Sequence, residues 1–176
     1  MIRISILFGR VICAAIIACG VNPKADAHLN QETTVDGETM LFGRVDRDGF
    51  RLPAYKHWFD STYHAYIPQE KTLELIKPYM ENVRIKVFLA TWCSDTRRDI
   101  PALNRILDDL SYDMKSMKMI ALDRSRKSPG HEEAGYNIEL VPTSIFFKEG
   151  VEMGRIVESP NHTLEEDILT IVTPQP

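Results

Sequence analysis

The segment Thr91-Trp92-Cys93-Ser94-Asp95-Thr96 has the residue types and spacing for thiol chemistry. It follows the near-continuous apolar run Ile85 to Ala90. It precedes a stretch, Asp95 to Leu110, in which Ile100, Leu103, Ile106, Leu107 and Leu110 recur at helical spacing. A cysteine between a buried strand and a helix start lies beside unpaired N–H groups and the positive end of the helix dipole. That placement favours the thiolate, which is the nucleophile and the form that attacks disulfides. Arg97 and Asp95 are the candidates for tuning it, the first in favour and the second against, with Arg98 close by. Trp92 can shield one side of the sulfur. Thr96, three residues on, is placed to donate a hydrogen bond to it. The plainer reading of Cys93 is a small buried hydrophobe, and of Arg97 and Arg98 a solvated helix face.

A second segment belongs with the first. Val141-Pro142-Thr143 precedes a strand-like run, Ser144 to Lys148. A proline at a strand entry that approaches another loop is a candidate cis bond. The backbone beside it can pair with an extended substrate, which makes Val141 and Thr143, with Trp92, candidate substrate-binding residues. Asp123-Arg124 lies at a strand end, the usual place for sites in α/β sheets. The plainer reading there is a salt-bridged loop. His28, His57, His64, His131 and His162 show no metal-ligand spacing with Cys93 or with one another, so no metal is expected.

The elements that must position these residues alternate. Met117 to Leu122 reads as a second buried strand. Glu132 to Tyr136 allows a short helical turn. Ser144 to Lys148 and Met153 to Val157 flank Glu149-Gly150 as a hairpin, and Leu164 to Val172 closes the chain as an amphipathic helix capped near Thr163 or Asn161. Upstream, Tyr55 to Tyr66 is an aromatic helix, and Pro68 opens a second helical stretch to about Met80. Met40 to Val45 and Phe50 to Leu52 flank Asp46-Arg47-Asp48-Gly49, a hairpin-like turn signal. The order predicts an α/β fold, a central mixed sheet with helices on both faces, carrying an N-terminal helical and hairpin extension.

Trp92-Cys93-x-x-Thr96, Pro101, Val141-Pro142-Thr143, Phe146-Phe147-Lys148 and Gly150-x-Glu152-x-Gly154-Arg155-Ile156-Val157 together resemble thioredoxin, over residues 83–173. Within that superfamily the chain is most similar to exported bacterial members carrying Trp-Cys-x-Asp-Ser or -Thr, which also share a segment like Ala121 to Pro129. The resemblance implies a thioredoxin-like fold, with Cys93 as the nucleophile, Pro142 as the cis-proline facing it, and no cofactor. Two departures stand out. Thr96 occupies the place of the resolving cysteine. Val87 occupies the place of the buried carboxylate that serves the resolving step. A lone cysteine can form a mixed disulfide with a protein or small-molecule thiol or disulfide substrate, but it needs an external thiol reductant to turn over. The implied activity is therefore a monothiol thiol–disulfide oxidoreductase. The alternatives are a redox-inactive binding or chaperone-like module and, third, a thiol peroxidase. The last lacks the Gln, Asn and Trp motifs that surround the thiol in glutathione-peroxidase-like proteins.

The bulk numbers fit this reading. The 176 residues suit one domain plus an N-terminal extension, and 44% hydrophobic with 26% charged residues is ordinary for a globular protein. A net charge of −4 argues against a nucleic-acid partner. Residues 1–27 read as a signal peptide, with Arg3 and Arg10 about a short apolar run from Val11 to Val21. Cleavage after Ala25-Asp26-Ala27 would free His28. Ile16-Ile17-Ala18-Cys19 resembles a lipobox instead, which would leave Cys19 lipidated and the protein held at a membrane. A retained membrane anchor is the third reading. Either cleavage leaves Cys93 as the single free thiol of an exported protein, periplasmic or membrane-anchored in a Gram-negative-type envelope. Residues 28–38 read as a flexible tether, and 39–82 as an extension packing on the core.

Overall fold

Strand β4 (Val83–Leu89) organises the molecule, because its alternating side chains found two separate apolar layers. The computed structural model describes residues 28–174; the signal-peptide and Cys19 expectations lie outside that range. A five-stranded mixed sheet runs in the order β3 (Gly43–Val45), β5 (Met117–Ala121), β4, β6 (Thr143–Lys148), β7 (Val151–Val157). β4 and β5 are parallel; the other neighbours are antiparallel. A separate hairpin pairs β1 (Glu32–Val35) with β2 (Glu38–Leu41). This is the thioredoxin-like mixed α/β architecture that the motifs imply.

The helices follow from local signals. Helix α1 (Pro53–Ala65) opens on a proline, whose missing N–H costs nothing in a first turn. Helix α2 (Glu70–Ile76) follows Pro68. Helix α3 (Ser94–Asp109) continues through Pro101. Helix α4 (Leu164–Val172) is capped by Thr163, whose hydroxyl accepts from Glu166 N at 3.2 Å.

All four helices bury their apolar side chains in one layer. Tyr55 and Phe59 of α1, Leu73 and Ile76 of α2, Ile100 to Leu107 of α3 and Ile168 of α4 share a cluster with Ile85, Val87, Met119 and Phe146 of the sheet. Phe50 stacks on Phe59 with ring centroids 4.8 Å apart. Polar contacts fix the same packing. Tyr63 donates to Asp108 at 2.6 Å, and Tyr66 donates to the buried Glu165 at 2.8 Å. Arg47 holds α3 with three contacts, to Asn104 Oδ1 (2.7 Å), the Asn104 carbonyl (3.0 Å) and Asp108 (2.8 Å).

The opposite layer carries Phe88, Ile120 and Ile145, and the segment 122–142 covers it in place of a helix. This corrects the expected helices on both faces. The short helical turn expected at Glu132 to Tyr136 is a run of turns, with backbone bonds Ala134 N to His131 O and Tyr136 N to Glu133 O. Tyr136 supplies the apolar cover instead, 5.2 Å from Phe88 between ring centroids.

Two upstream expectations are corrected as well. Residues 32–35, assigned to a tether, form β1, because Asp36-Gly37 supplies a turn with both residues at positive φ. Asp46-Arg47-Asp48-Gly49 is not a hairpin. It leads into a 3-10 turn, Gly49–Arg51, because the Asp46 carboxylate accepts from Asp48 N (2.9 Å) and Asn30 Nδ2 (2.7 Å) and folds the chain toward α1.

Candidate functional site

β4 ends at Leu89, and after four intervening residues α3 begins at Ser94; Cys93 is the N-cap residue of that helix. The link is held by the backbone bond from Cys93 N to the Ala90 carbonyl, 2.9 Å. Thr91 Oγ1 accepts from Leu41 N (3.2 Å), tying the link to β2. Arg97 Nε donates to the Thr91 carbonyl (2.8 Å), tying it to the first turn of α3. These contacts fix where the sulfur stands. Cys93 is half-buried and is the free thiol among the described residues.

The Val141-Pro142 bond is cis, and the Val141 carbonyl lies at the sulfur. Cys93 Sγ donates to that carbonyl at 3.2 Å. The Asp95 carboxylate lies 3.8 Å from Sγ. Pro142 is anchored through its own carbonyl, which accepts from Glu158 N at 2.7 Å, and the Thr143 hydroxyl donates to the Leu140 carbonyl at 2.7 Å. Trp92 is half-buried over the second apolar layer, and its Nε1 donates to the Leu122 carbonyl at 3.2 Å. Trp92 and Cys93 are thus half-buried against one apolar cluster with the buried Val141; Pro142 and Thr143 are buried next to it in sequence, and Leu140 is exposed beside them.

Two expected roles are not what the geometry provides. Thr96 is fully buried, and its Oγ1 accepts from Ala90 N at 3.2 Å. Its hydroxyl closes the end of β4 rather than serving the sulfur, because the strand leaves that N–H without a ladder partner. Arg97 is turned back onto Thr91, and no guanidinium contact to Sγ is found among the described residues. The Cys93 side chain also makes no cap hydrogen bond to the helix N–H groups. Asp95 is the charged neighbour of the sulfur, and it pairs with Arg98 at 2.8 Å.

Arg124, at the strand end singled out in the sequence, forms the salt bridge of the plainer reading and also reaches the site. The Arg124 guanidinium lies over the Trp92 ring, 5.1 Å from its centroid, and is ion-paired with Glu38 of β2. The N-terminal hairpin is in this way clamped to the tryptophan beside the thiol. Asp123 next to it is structural. Burial alone would raise its pKa, but hydrogen bonds from Ser125 and Lys127 outweigh that and hold it below the ordinary carboxylate value. Among the described residues no three His, Cys, Asp or Glu side chains gather as a metal site, and no helix is long and apolar enough to cross a membrane.

No protein-family model matches the chain, and no curated protein matches its sequence. Solved structures do. A Pseudomonas aeruginosa protein of unknown function is 16% identical over 68% of this chain and 81% of its own, with a TM-score of 0.42. Fasciola hepatica thioredoxin is 21% identical over 57% of this chain and 89% of its own, with a TM-score of 0.38. Mitochondrial thioredoxin 3 of Saccharomyces cerevisiae is 20% identical over 55% and 86%, with a TM-score of 0.32.

Proposed function

We propose that this chain is a thioredoxin-like thiol–disulfide oxidoreductase that works through Cys93 alone, exported to the cell envelope as a periplasmic protein or one anchored through Cys19. The observation that carries the reading is the half-exposed Cys93 at the start of α3, with its sulfur against the Val141 carbonyl beside the cis Val141-Pro142 bond. A substrate disulfide entering along Leu140-Val141 displaces that contact. The Cys93 thiolate attacks one substrate sulfur, a Cys93 mixed disulfide forms, and the other sulfur leaves as a thiolate that takes up a proton. Thr96 offers no second sulfur. An external thiol therefore attacks the substrate sulfur of the mixed disulfide, which frees Cys93 as a thiolate and leaves a substrate–reductant disulfide; a second external thiol attacks the reductant's sulfur of that disulfide, releasing the substrate thiol and forming the reductant's own disulfide.

Incubation of the full chain with oxidised glutathione, followed by peptide mass mapping, tests this. The expected adduct is on the peptide holding Cys93, forms faster than on the urea-unfolded chain, and is removed by reduced glutathione. A folded chain whose Cys93 reacts no faster than the unfolded one would refute the proposal. In that case the second reading leads, a redox-inactive binding module using the same surface. A specific observation favours it: two oxygens, from Val141 and Asp95, face the sulfur, and the Thr96 hydroxyl is engaged with Ala90 N.

A further inference from the structure

On the helix-free layer of the sheet, β4 and β5 change from apolar at the Cys93 end, with Phe88 and Ile120, to cationic at the other end. Arg84 and Lys86 of β4 and Lys118 of β5 project from this layer, since each shares the strand parity of Phe88 and Ile120. Lys115, in the 3-10 turn Met114–Ser116 that enters β5, joins them. Together with Tyr136 and Phe147 they line a recess of about 390 Å³ that no carboxylate lines.

Three features set this cluster apart from an ordinary solvated face. Lys86 and Lys118 are direct partners in the parallel register, where like charges repel. Arg84, Lys115 and Lys118 have no carboxylate partner among the described residues, although the chain as a whole is acidic at −4. The closest acidic residue in sequence, Asp113, is engaged in capping its own turn through Lys115 N at 3.0 Å. Finally, Lys86 is half-buried and held in place. Its ammonium donates to the Tyr136 hydroxyl and lies 4.0 Å from that ring's centroid.

We infer that this recess is an anion site for a phosphate-bearing ligand, separate from the thiol. Arg84 supplies a planar fork suited to two phosphate oxygens, and the three lysines act as point charges around it. A multivalent anion relieves the Lys86–Lys118 repulsion, so its binding stabilises the folded chain by mass action. The phosphate can belong to a free small molecule or to a lipid headgroup, since the same oxygens are presented by either.

Inorganic pyrophosphate titrated into the full chain at constant ionic strength is the first measurement. Expected are saturable one-site binding by calorimetry and a rise in melting temperature. Lys86→Gln with Lys118→Gln should weaken binding at least tenfold, while Lys118→Arg keeps it and Lys71→Gln on α2 changes nothing. Where the double variant does not fold, Lys118→Gln alone must weaken binding severalfold. The second arm compares co-sedimentation with phosphatidylglycerol and phosphatidylcholine vesicles. Lysine-dependent binding to phosphatidylglycerol vesicles without pyrophosphate binding assigns the phosphate to a headgroup, and pyrophosphate binding assigns it to a free ligand. Absence of both, or binding that the lysine substitutions leave unchanged, overturns the site.

Discussion

At the scale of single residues, Asp95 and Thr96 divide the work around the sulfur. Asp95 places a carboxylate oxygen 3.8 Å from Sγ, where it acts as an acceptor for the thiol, and is itself paired with Arg98. Thr96 acts on the backbone. Thr96→Val leaves the buried Ala90 N–H without its acceptor, at a cost of about 1–3 kcal/mol, so the urea midpoint should fall at constant m-value. The alkylation rate of Cys93 should stay the same; a slower rate in Thr96→Val would return the hydroxyl to the sulfur. Sequence made Cys93, Trp92, Val141 and Pro142 legible as one site because each sits in a short local motif. It did not reveal that Thr96 serves Ala90, since spacing alone gives a hydroxyl two partners within reach. Nor did it reveal the Glu38–Arg124–Trp92 clamp, because a contact between residues 86 apart in the chain leaves no periodic trace.

Among the elements, the segment 122–142 has to do a helix's task without a helix. It covers Phe88, Ile120 and Ile145 and carries Val141 to the sulfur. Carboxylates hold its turns. Glu133 is buried and accepts from Ser128 N (3.1 Å) and Ser128 Oγ (2.6 Å). Burial would raise its pKa, but those bonds and Lys127 outweigh it, so Glu133, like Asp123, is held below its ordinary value. The sign follows from linkage. A carboxyl depressed in the folded state contributes stability that is fully present above the unfolded value, about 4, and is lost as pH falls through the lower folded value. Amide exchange should show it: below about pH 4 the protection factors of residues 123–138 fall before those of β4 and β5. Glu133→Gln should produce the same loosening at neutral pH. Uniform loss across the sheet would show that these carboxylates do not govern the segment. The periodic elements were readable in advance, β4 from its apolar run, α3 and α4 from their spacing. The covering segment was not, because its order comes from side chains bonding turns, and turns of this kind mimic a short helix in composition. The hairpin β1–β2 was missed for a related reason: its residues are polar, and only the Asp36-Gly37 turn marks it.

For the molecule as a whole, the question is whether residues 83–173 form a unit to which the rest is attached. The packing answers against separability. β3 covers the outer edge of β5. Tyr55, Phe59, Leu73 and Ile76 lie in the same apolar layer as α3, α4 and one face of the sheet. Arg47 holds Asn104, which is fully buried and whose own amide donates to the Ile100 carbonyl at 2.8 Å. Burying a large apolar side chain contributes about 1.5–3 kcal/mol. Four of them, together with β3 and the Arg47 contacts, rival the roughly 5–15 kcal/mol that separates a folded domain from its unfolded chain. Removing residues 1–81 should thus leave a piece that does not fold cooperatively. The measurement is urea unfolding followed by near-UV circular dichroism, with a hydrophobic dye as a second probe. The chain starting at residue 28 should unfold in one sharp transition and bind little dye. The chain starting at residue 82 should lack a near-UV signal, bind dye strongly and show no sharp transition. A shortened chain that unfolds sharply with a native-like near-UV spectrum would make residues 28–81 an appendage. It would also confine whatever the thiol does to the second half of the chain.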